Sequence, residues 1–242
     1  MRDTVKRLVA RGSRTTVGKH LLHAATRPEV SAERFPEVSA WPERIDGFED
    51  LAFLFTSSQL NHGVASLRFD EAAFLYGLVR RLGTARIVEL GRFKGGSTFI
   101  AASAMSAGST LVSYDLHIPL RDDLQGPDLD RELEAALSRY ELGDGVTLVV
   151  GDSRVVDLPE PGIDLLFIDA DHTYEGASAD LRRWSSLVRP GGHVLLHDAV
   201  DTGGYGNVYP GIARAVNELL TRGDFDAVRG AGTIAHLVRR TT

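Results

Sequence analysis

The stretch that decides the fold is residues 163–176, which read IDLLFIDADHTYEG. Its first six residues are apolar except for Asp164, and a short, nearly continuous apolar run predicts a buried parallel strand. Asp169, Asp171 and His172 follow directly. In an open α/β sheet, ligands bind at the edge formed by the carboxyl ends of the strands. We therefore expect these three side chains to face a ligand site.

Strand-like and helix-like segments alternate along the remainder of the chain. Apolar runs predict strands at 86–90, 110–114, 146–150, 163–168 and 193–196, and a closing hairpin at 225–228 and 233–238. Helical spacing of apolar residues predicts helices at 48–59, 70–82, 97–107, 129–142, 174–188 and 212–220, with Asp70 as N-cap of the second. Such alternation is typical of βαβ units and predicts a mainly parallel sheet.

The chain divides into two parts. Residues 1–68 combine a basic start with Pro28, Pro36 and Pro42, and we predict an N-terminal helical arm, a linker and a lid region there. The arm is expected to pack on the body of the protein or on a second subunit. A homo-oligomer formed through the N-terminal region is therefore one of the expected arrangements. Residues 69–242 carry the alternating elements and are predicted to form one ligand-binding domain.

The composition narrows the functional classes. Hydrophobic residues make up 43% of 242 residues, enough for one core, and the net charge of -6 argues against a nucleic-acid surface, which is normally basic. The absence of cysteine excludes disulfides and cysteine-bound zinc. No apolar run approaches the ~20 residues that span a bilayer, and the start lacks the apolar segment of a secretory signal. We therefore expect no membrane partner and a cytoplasmic protein.

A glycine-rich turn, Glu89-x-Gly91-x-x-x-Gly95-Gly96-Ser97, lies between a predicted strand and a predicted helix. Glycines permit a tight turn and a close approach of a ligand to the backbone, and the first N–H groups of the helix point at that ligand. The spacing departs from both G-x-G-x-x-G and the Walker A pattern. Glu89 brings negative charge to this place, which suits a ligand with an ammonium group and hydroxyls better than a pyrophosphate.

Acidic residues also end the next two strands. Asp115 lies about 20 residues beyond the turn, where a carboxylate accepts hydrogen bonds from ribose hydroxyls. Asp152 and Ser153 follow the third strand and are expected near an adenine ring. Each of these residues alone could be a helix cap, but all of them end consecutive strands on one edge, which favours a common ligand.

These segments together resemble the class I S-adenosylmethionine-dependent methyltransferases, from about residue 86 to residue 238. The resemblance rests on ELGRFKGGST (89–98), SYD (113–115), GDS (151–153), LLFIDADHTYEG (165–176) and LVRPGGHVLLHD (187–198). The last two segments resemble a subgroup that holds metal-dependent O-methyltransferases, including antibiotic-sugar methyltransferases and cephalosporin-hydroxylase-like proteins. The resemblance implies a Rossmann-like, doubly wound sheet of seven strands in the order 3-2-1-4-5-7-6, with the last strand antiparallel.

It also implies roles in binding S-adenosylmethionine. The glycine-rich turn and its acid hold the methionine part in that family, the second-strand acid holds the ribose, and the third-strand residues hold the adenine. The positions that inherit a cofactor-binding role are Glu89, Gly91, Gly95, Ser97, Asp115, Asp152, Ser153 and Asp169.

A metal site is expected where the fourth and fifth strands end, because neighbouring strands lie only ~4.8 Å apart. Resemblance to the metal-dependent subgroup implies Asp169 and Asp198 as ligands, with His197 where the subgroup usually has a carboxylate or an amide. Oxygen ligands favour Mg²⁺, whereas a histidine ligand favours Mn²⁺, Fe²⁺ or Zn²⁺. The alternative is a metal-free methyltransferase in which these groups only shape the pocket and His197 is a buried, hydrogen-bonded histidine.

Methyl transfer to oxygen needs a base, because a neutral hydroxyl is a poor nucleophile. A histidine suits that task near neutral pH. Resemblance to the sugar methyltransferases implies a base at the position of His172 or of Asp171, and we favour His172. Either residue could instead cap the helix that follows.

The sequence thus predicts a metal-assisted O-methyltransferase for a hydroxyl of a small molecule, such as a sugar or a secondary metabolite. Alternatives are a metal-independent methyltransferase, an NAD-type oxidoreductase, which the turn spacing disfavours, and a non-catalytic cofactor-binding protein. The loops that could close over the acceptor, with the side chains that could touch it, are 53–63 with His62, 117–130, and 201–210 with Tyr205 and Tyr209.

Overall fold

The computed structural model describes residues 42–55, 64–117, 126–201 and 209–241. Its strands are β1 (Arg86–Leu90), β2 (Thr110–Asp115), β3 (Val146–Val150), β4 (Ile163–Ile168), β5 (Val188–Leu196), β6 (Phe225–Val228) and β7 (Ala235–Arg239). Its α-helices are α1 (Phe69–Leu82), α2 (Gly96–Ala104), α3 (Gly126–Arg139), α4 (Tyr174–Trp184) and α5 (Pro210–Thr221). Two 3₁₀ helices span Phe48–Phe55 and Ser185–Leu187.

The strands form one sheet in the order β3-β2-β1-β4-β5-β7-β6. The first five strands pair in parallel, and β7 runs antiparallel to both β5 and β6. This arrangement confirms the doubly wound sheet and the strand order that the resemblance implies. The carboxyl ends of β1 to β5 therefore meet at one edge, and the order reverses between β1 and β4, where such folds bind ligands.

Helices cover both faces of the sheet. One core contains apolar side chains of α1, α2, α3 and the first 3₁₀ helix, and the other contains those of α4 and α5 around the fully buried Trp184. Leu51 and Leu54 of the 3₁₀ helix are buried in the first core. Part of the segment assigned to the N-terminal region thus packs on the main body, and the boundary at residue 68 stays a prediction.

The helix predicted at 48–59 is a 3₁₀ helix over 48–55, and residues 56–59 lie outside the described part of the chain. Two other predicted elements were wrong in their details. The N-cap of α1 is Arg68 and not Asp70, because the Glu71 carboxylate reaches back to accept the Arg68 N–H at 2.8 Å. In addition, β5 begins at Val188 and not at residue 193, because the Pro-Gly-Gly segment forms an irregularity inside the strand.

None of the helices in the described ranges is long and apolar enough to cross a lipid bilayer. The predicted N-terminal arm, His62 and Tyr205 lie outside the described residues, as do parts of the three predicted acceptor loops. The proposed oligomer contact through the arm falls there too.

Candidate active site

The glycine-rich turn connects β1 to α2 at the sheet edge. Gly91 has φ +90°, and a Cβ there would lie 2.1 Å from the backbone oxygen of Asp169, so only glycine lets β1 and β4 end this close together. Gly95, with φ +81°, is the N-cap of α2, and a Cβ there would lie 2.5 Å from Leu133. Gly91 lines the cavity described below, whereas Gly95 packs against α3.

Glu89 lies beneath the turn and not in the cavity. Its carboxylate is 2% exposed and accepts hydrogen bonds from the hydroxyls of Ser97, Thr98 and Ser113. Burial raises the pKa of Glu89, an effect that the three hydroxyl donors oppose. Of the three residues that donate to Glu89, Ser97 also lines the cavity, so Glu89 is connected to the cavity wall through the Ser97 hydroxyl. Direct contact between Glu89 and the cofactor stays a prediction.

Asp115 ends β2 and lines the cavity. One of its oxygens accepts the backbone N–H groups of Arg92 at 2.8 Å and Phe93 at 2.9 Å, and the other accepts the His117 N–H at 2.6 Å. The turn is therefore tied to the end of β2 by a carboxylate that keeps roughly one of its four acceptor positions free. Contact between Asp115 and ribose hydroxyls stays a prediction.

Arg92 is a residue that the sequence interpretation missed. Its guanidinium is buried, and it donates to both oxygens of Asp130, at 2.8 and 2.7 Å, and to the Ser113 carbonyl at 2.7 Å. His117 also contacts Asp130 at 2.7 Å through Nε2. This bidentate pair fixes α3 against the glycine-rich turn. An arginine among glycines was its only sequence signal.

Asp152 and Ser153 follow β3 and line the same cavity, as predicted. The Asp152 carboxylate forms an ion pair with Arg154 at 2.7 Å and also accepts the Arg154 N–H at 2.9 Å. The Ser153 hydroxyl donates to Asp180 of α4 at 2.5 Å, and Trp184 Nε1 donates to the Ser153 carbonyl at 2.9 Å. Burial raises the pKa of Asp180 to about 6.

At the ends of β4 and β5, four side chains that the sequence singled out converge. His197 Nδ1 lies 3.2 Å from Asp169 Oδ1, and His172 Nε2 lies 3.4 Å from the same oxygen. His172 Nε2 also lies 3.5 Å from Asp198 Oδ2. One ligand atom each of Asp169, His172 and His197 falls within a 4.8 Å cluster. His172 thus joins the expected ligands as a fourth candidate.

Each histidine of this cluster lies between carboxylates. Asp169 and Asp198 raise the pKa of His172 to about 9 against the effect of burial. Burial lowers the pKa of His197, but Asp169, Glu71 and Asp198 outweigh it and raise that pKa to about 10. The two imidazoles hold the pKa of Asp169 well below its usual range although the group is buried.

Glu71 of α1 is the second residue that the sequence did not reveal. It is fully buried and accepts His197 Nε2 at 3.0 Å, the Thr233 N–H at 2.7 Å, the Thr233 hydroxyl at 2.8 Å and the Arg68 N–H at 2.8 Å. Burial alone would raise the pKa of Glu71, but these donors outweigh it and lower the pKa to about 2. Because His197 Nε2 points at Glu71, its Nδ1 is directed into the cluster.

The orientation of Asp198 is set by its backbone conformation and by contacts with Thr233. It has φ +55°, its N–H donates to the Thr233 hydroxyl at 3.2 Å, and its Oδ1 lies 3.1 Å from that hydroxyl. Thr233, which the sequence did not single out, therefore connects Glu71 to Asp198. The tight turn after β5 explains how adjacent residues, His197 and Asp198, both point into one site.

Asp171 stands apart from the cluster. It is exposed, and its Oδ1 accepts the Thr173 N–H at 2.9 Å. Thr173 is the N-cap of α4 and accepts the Gly176 N–H at 3.1 Å, so the alternative that Asp171 or His172 caps this helix is wrong. The His172 ring packs on Tyr209, with ring centroids 4.5 Å apart.

One cavity of about 750 Å³ contains nearly all of these groups. Its volume is typical of a site for a cofactor and a small molecule. The predicted residues that line it are Gly91, Ser97, Asp115, Asp152, Ser153, Asp169, Asp171, His172, His197 and Asp198, and the lining residues that the sequence missed include Glu71, Arg92, Asp180 and Thr233.

Known proteins share the fold on which this site is built. A family model described as a methyltransferase domain matches residues 88–199. TomG from Streptomyces achromogenes, an O-methyltransferase involved in tomaymycin synthesis and crystallised with S-adenosylmethionine, is 20% identical, with 73% of this chain and 82% of that chain covered at a TM-score of 0.55.

Two further solved structures cover almost the whole chain. An O-methyltransferase from Bacillus cereus in complex with S-adenosylhomocysteine (SAH) is 18% identical over 95% of this chain and 100% of that chain, with a TM-score of 0.55. The methyltransferase PaMTH1 from Podospora anserina, bound to SAH, is 16% identical over 99% and 96%, with a TM-score of 0.57. At these identities the likeness establishes the fold. The family match adds that residues 88–199, slightly less than half of the chain, are similar to a methyltransferase domain.

Proposed function

We propose that this protein transfers the methyl group of S-adenosylmethionine to a hydroxyl of a small molecule, with the assistance of a divalent metal ion. The observation that carries the proposal is the convergence of Asp169, His172, His197 and Asp198 in the cavity that contains the glycine-rich turn. The sugar or secondary-metabolite acceptor predicted from the sequence remains part of the proposal.

The side chains present fit a metal ion. His172 Nε2 is buried and has no hydrogen-bond partner among the described residues, although two carboxylates lie near it. A buried polar atom without a partner is costly, and coordination would satisfy it. His197 Nδ1 is oriented toward the same point by Glu71. Two imidazoles with carboxylates favour Mn²⁺, Fe²⁺ or Zn²⁺ over the Mg²⁺ that the carboxylates alone suggested.

When bound, such an ion would lower the pKa of the acceptor hydroxyl. The protein's own groups then orient the acceptor and take its proton. His172 is one candidate base, since it faces the cavity and packs on Tyr209. Asp171 is the other, because it is exposed in the same cavity and remains outside the metal cluster. Coordination through His172 Nε2 would leave Asp171 as the base.

The test combines metal analysis with turnover. Protein dialysed against EDTA is incubated with S-adenosylmethionine and a panel of phenols, sugars and glycosides, and SAH release is measured with and without added Mn²⁺. We expect turnover to be lost in EDTA and restored by Mn²⁺, and Asp169→Asn to lose metal binding in a Mn²⁺ titration followed by EPR. Asp171→Asn is the matched control and should retain the metal. Full turnover in EDTA would refute the metal requirement.

A metal-independent O-methyltransferase is the second candidate, and a specific contact favours it. His172 Nε2 lies within ion-pair distance of Asp169 and Asp198, at 3.4 and 3.5 Å, although neither contact has the geometry of a hydrogen bond. Because its pKa is about 9, His172 would act as a base only where it loses its proton, and the rate should rise with pH through about 9. EDTA-resistant turnover with that pH profile distinguishes this candidate from the metal-assisted reaction.

A further inference from the structure

The wall of the cavity beyond the end of β3 contains a carboxyl group that the proposed reaction does not use. Asp180 projects from α4, is 2% exposed and lines the cavity. The Ser153 hydroxyl, at 2.5 Å from Oδ1, is its one hydrogen-bond partner among the described residues. A carboxylate has roughly four acceptor positions, so most of its capacity is unused.

Its neighbour Asp152, the acid predicted to lie near the adenine, is already engaged. Both oxygens of Asp152 are occupied by the Arg154 guanidinium and backbone N–H. Asp152 is therefore committed to an exposed partner, whereas Asp180 keeps acceptor positions on the cavity side. Burying an incompletely paired carboxyl costs stability, and such a group in a ligand cavity points to a ligand donor.

The position of Asp180 matches the end of the cofactor that carries the base. Asp115 of β2, where the ribose is predicted to bind, pairs in register with Val150 of β3, so residues 151–153 lie about one strand spacing, ~4.8 Å, further along the edge. Asp180 contacts that segment through Ser153. An adenine ring extending from a ribose at Asp115 would therefore bring its edge toward Asp180.

We propose that Asp180 recognises the adenine of S-adenosylmethionine by accepting a hydrogen bond from its 6-amino group, and that Ser153 positions the Asp180 carboxyl for this contact. The amino group offers two donors, and the free Asp180 oxygen offers the matching acceptor. A carboxylate also repels a carbonyl oxygen at the same position, so the site discriminates against hypoxanthine as well as against an unsubstituted purine. Recognition of this kind requires the cofactor but neither the metal nor the acceptor.

The experiment is calorimetric titration of the whole protein with three ligands. They are SAH, its 6-deamino analogue with hydrogen in place of the amino group, and S-inosylhomocysteine, with a carbonyl there. Wild type should bind SAH about 10- to 100-fold more tightly than the 6-deamino analogue, since a hydrogen bond to a charged group is lost. In Asp180→Ala this ratio should approach one.

Asp180→Asn should bind S-inosylhomocysteine more tightly than wild type does, because its amide can donate to the carbonyl. Ser178→Ala is the matched control: Ser178 is buried on the same helix, does not line the cavity, and its loss should leave every ratio unchanged. Equal weakening of all three ligands by Asp180→Ala would assign Asp180 a structural role and overturn the proposal. Equal affinity of wild type for SAH and the 6-deamino analogue would overturn it without any variant. Failure of the metal or acceptor assays leaves these ratios unaffected.

Discussion

Replacing Asp180 by asparagine should stabilise the cofactor-free protein at neutral pH. The structure raises the pKa of this buried carboxyl from 3.8 to about 6, so the folded state prefers the protonated form. An acid whose pKa is raised in the folded state contributes its full stabilisation of that state at low pH, and this stabilisation is lost as the pH rises through about 6. Asparagine resembles the protonated acid in shape and cannot ionise, so the variant avoids the loss.

The magnitude follows from the pKa difference. About two pKa units correspond to roughly 3 kcal/mol, and Asp180 is 2% exposed, so solvent screening reduces this little. Part of this ~3 kcal/mol loss of stability has already occurred at pH 5, because the carboxyl of the unfolded chain ionises near pH 4. The interval from pH 5 to pH 8 therefore carries about half, ~1.5 kcal/mol.

The assay is urea unfolding of wild type and Asp180→Asn without cofactor at pH 5, 6, 7 and 8. The difference in free energy of unfolding should shift by ~1.5 kcal/mol in favour of the variant across this range, since the titration of all other groups cancels in the difference. Asp144→Asn, at an exposed position before β3, is the control and should give a flat difference. A flat difference for Asp180→Asn, or one that favours wild type at high pH, would refute the argument that burial dominates at this carboxyl.

Two further changes test the construction of the site. Glu71→Gln should lower Mn²⁺ affinity about 10- to 100-fold in an EPR titration, because the neutral amide orients His197 less strongly. The control is Asp70→Asn, at the neighbouring exposed position, which should leave Mn²⁺ affinity unchanged. Equal Mn²⁺ affinities of wild type and Glu71→Gln would contradict this role of Glu71. Gly91→Ala should destabilise the protein by at least ~2 kcal/mol in thermal or urea unfolding and abolish SAH binding, because its Cβ would lie 2.1 Å from a backbone oxygen. An alanine variant that melts and binds like wild type would show that β1 and β4 end further apart.

The residues at the carboxyl edge of the sheet could be predicted from the sequence, because local patterns determine where each strand ends. Apolar runs that stop at an acid mark the ends of parallel strands, and topology alone then brings Asp169 beside His197 and Asp198. The same reasoning correctly placed Asp115 and Asp152 in the cavity. Strand ends are predictable in this way because the side-chain and hydrogen-bond rules of a parallel sheet leave few alternatives.

The supporting residues were not predictable in the same way. Glu71 lies on the buried face of α1 with Leu75 and Leu78, but its partner His197 is 126 positions away in the sequence, and no local pattern identifies it. For Glu89, the motif predicted a negative charge at the turn but not the direction of the side chain, which points beneath the turn toward three hydroxyls. Long-range hydrogen bonds between side chains depend on packing angles that no local pattern encodes.

Asp180 also carries a local signal. It occupies a core position of α4, in the stripe formed by Ala177, Leu181 and Trp184, where helical spacing predicts an apolar residue. A charged residue in such a stripe either pairs with another group inside the protein or contacts a ligand bound there. A charge on the apolar face of a predicted helix is therefore a sequence signal for a residue such as Asp180.

The charge of the proposed metal cluster explains how such a site can be formed before an ion binds. Both nitrogens of His197 face carboxylate oxygens, at 3.0 and 3.2 Å, and each must carry a hydrogen to make these contacts. With His172 also protonated, two imidazolium cations stand against the carboxylates of Glu71, Asp169 and Asp198 and leave one net negative charge. A divalent cation with two neutral imidazoles leaves the same net charge. Two protons thus substitute electrostatically for one dication.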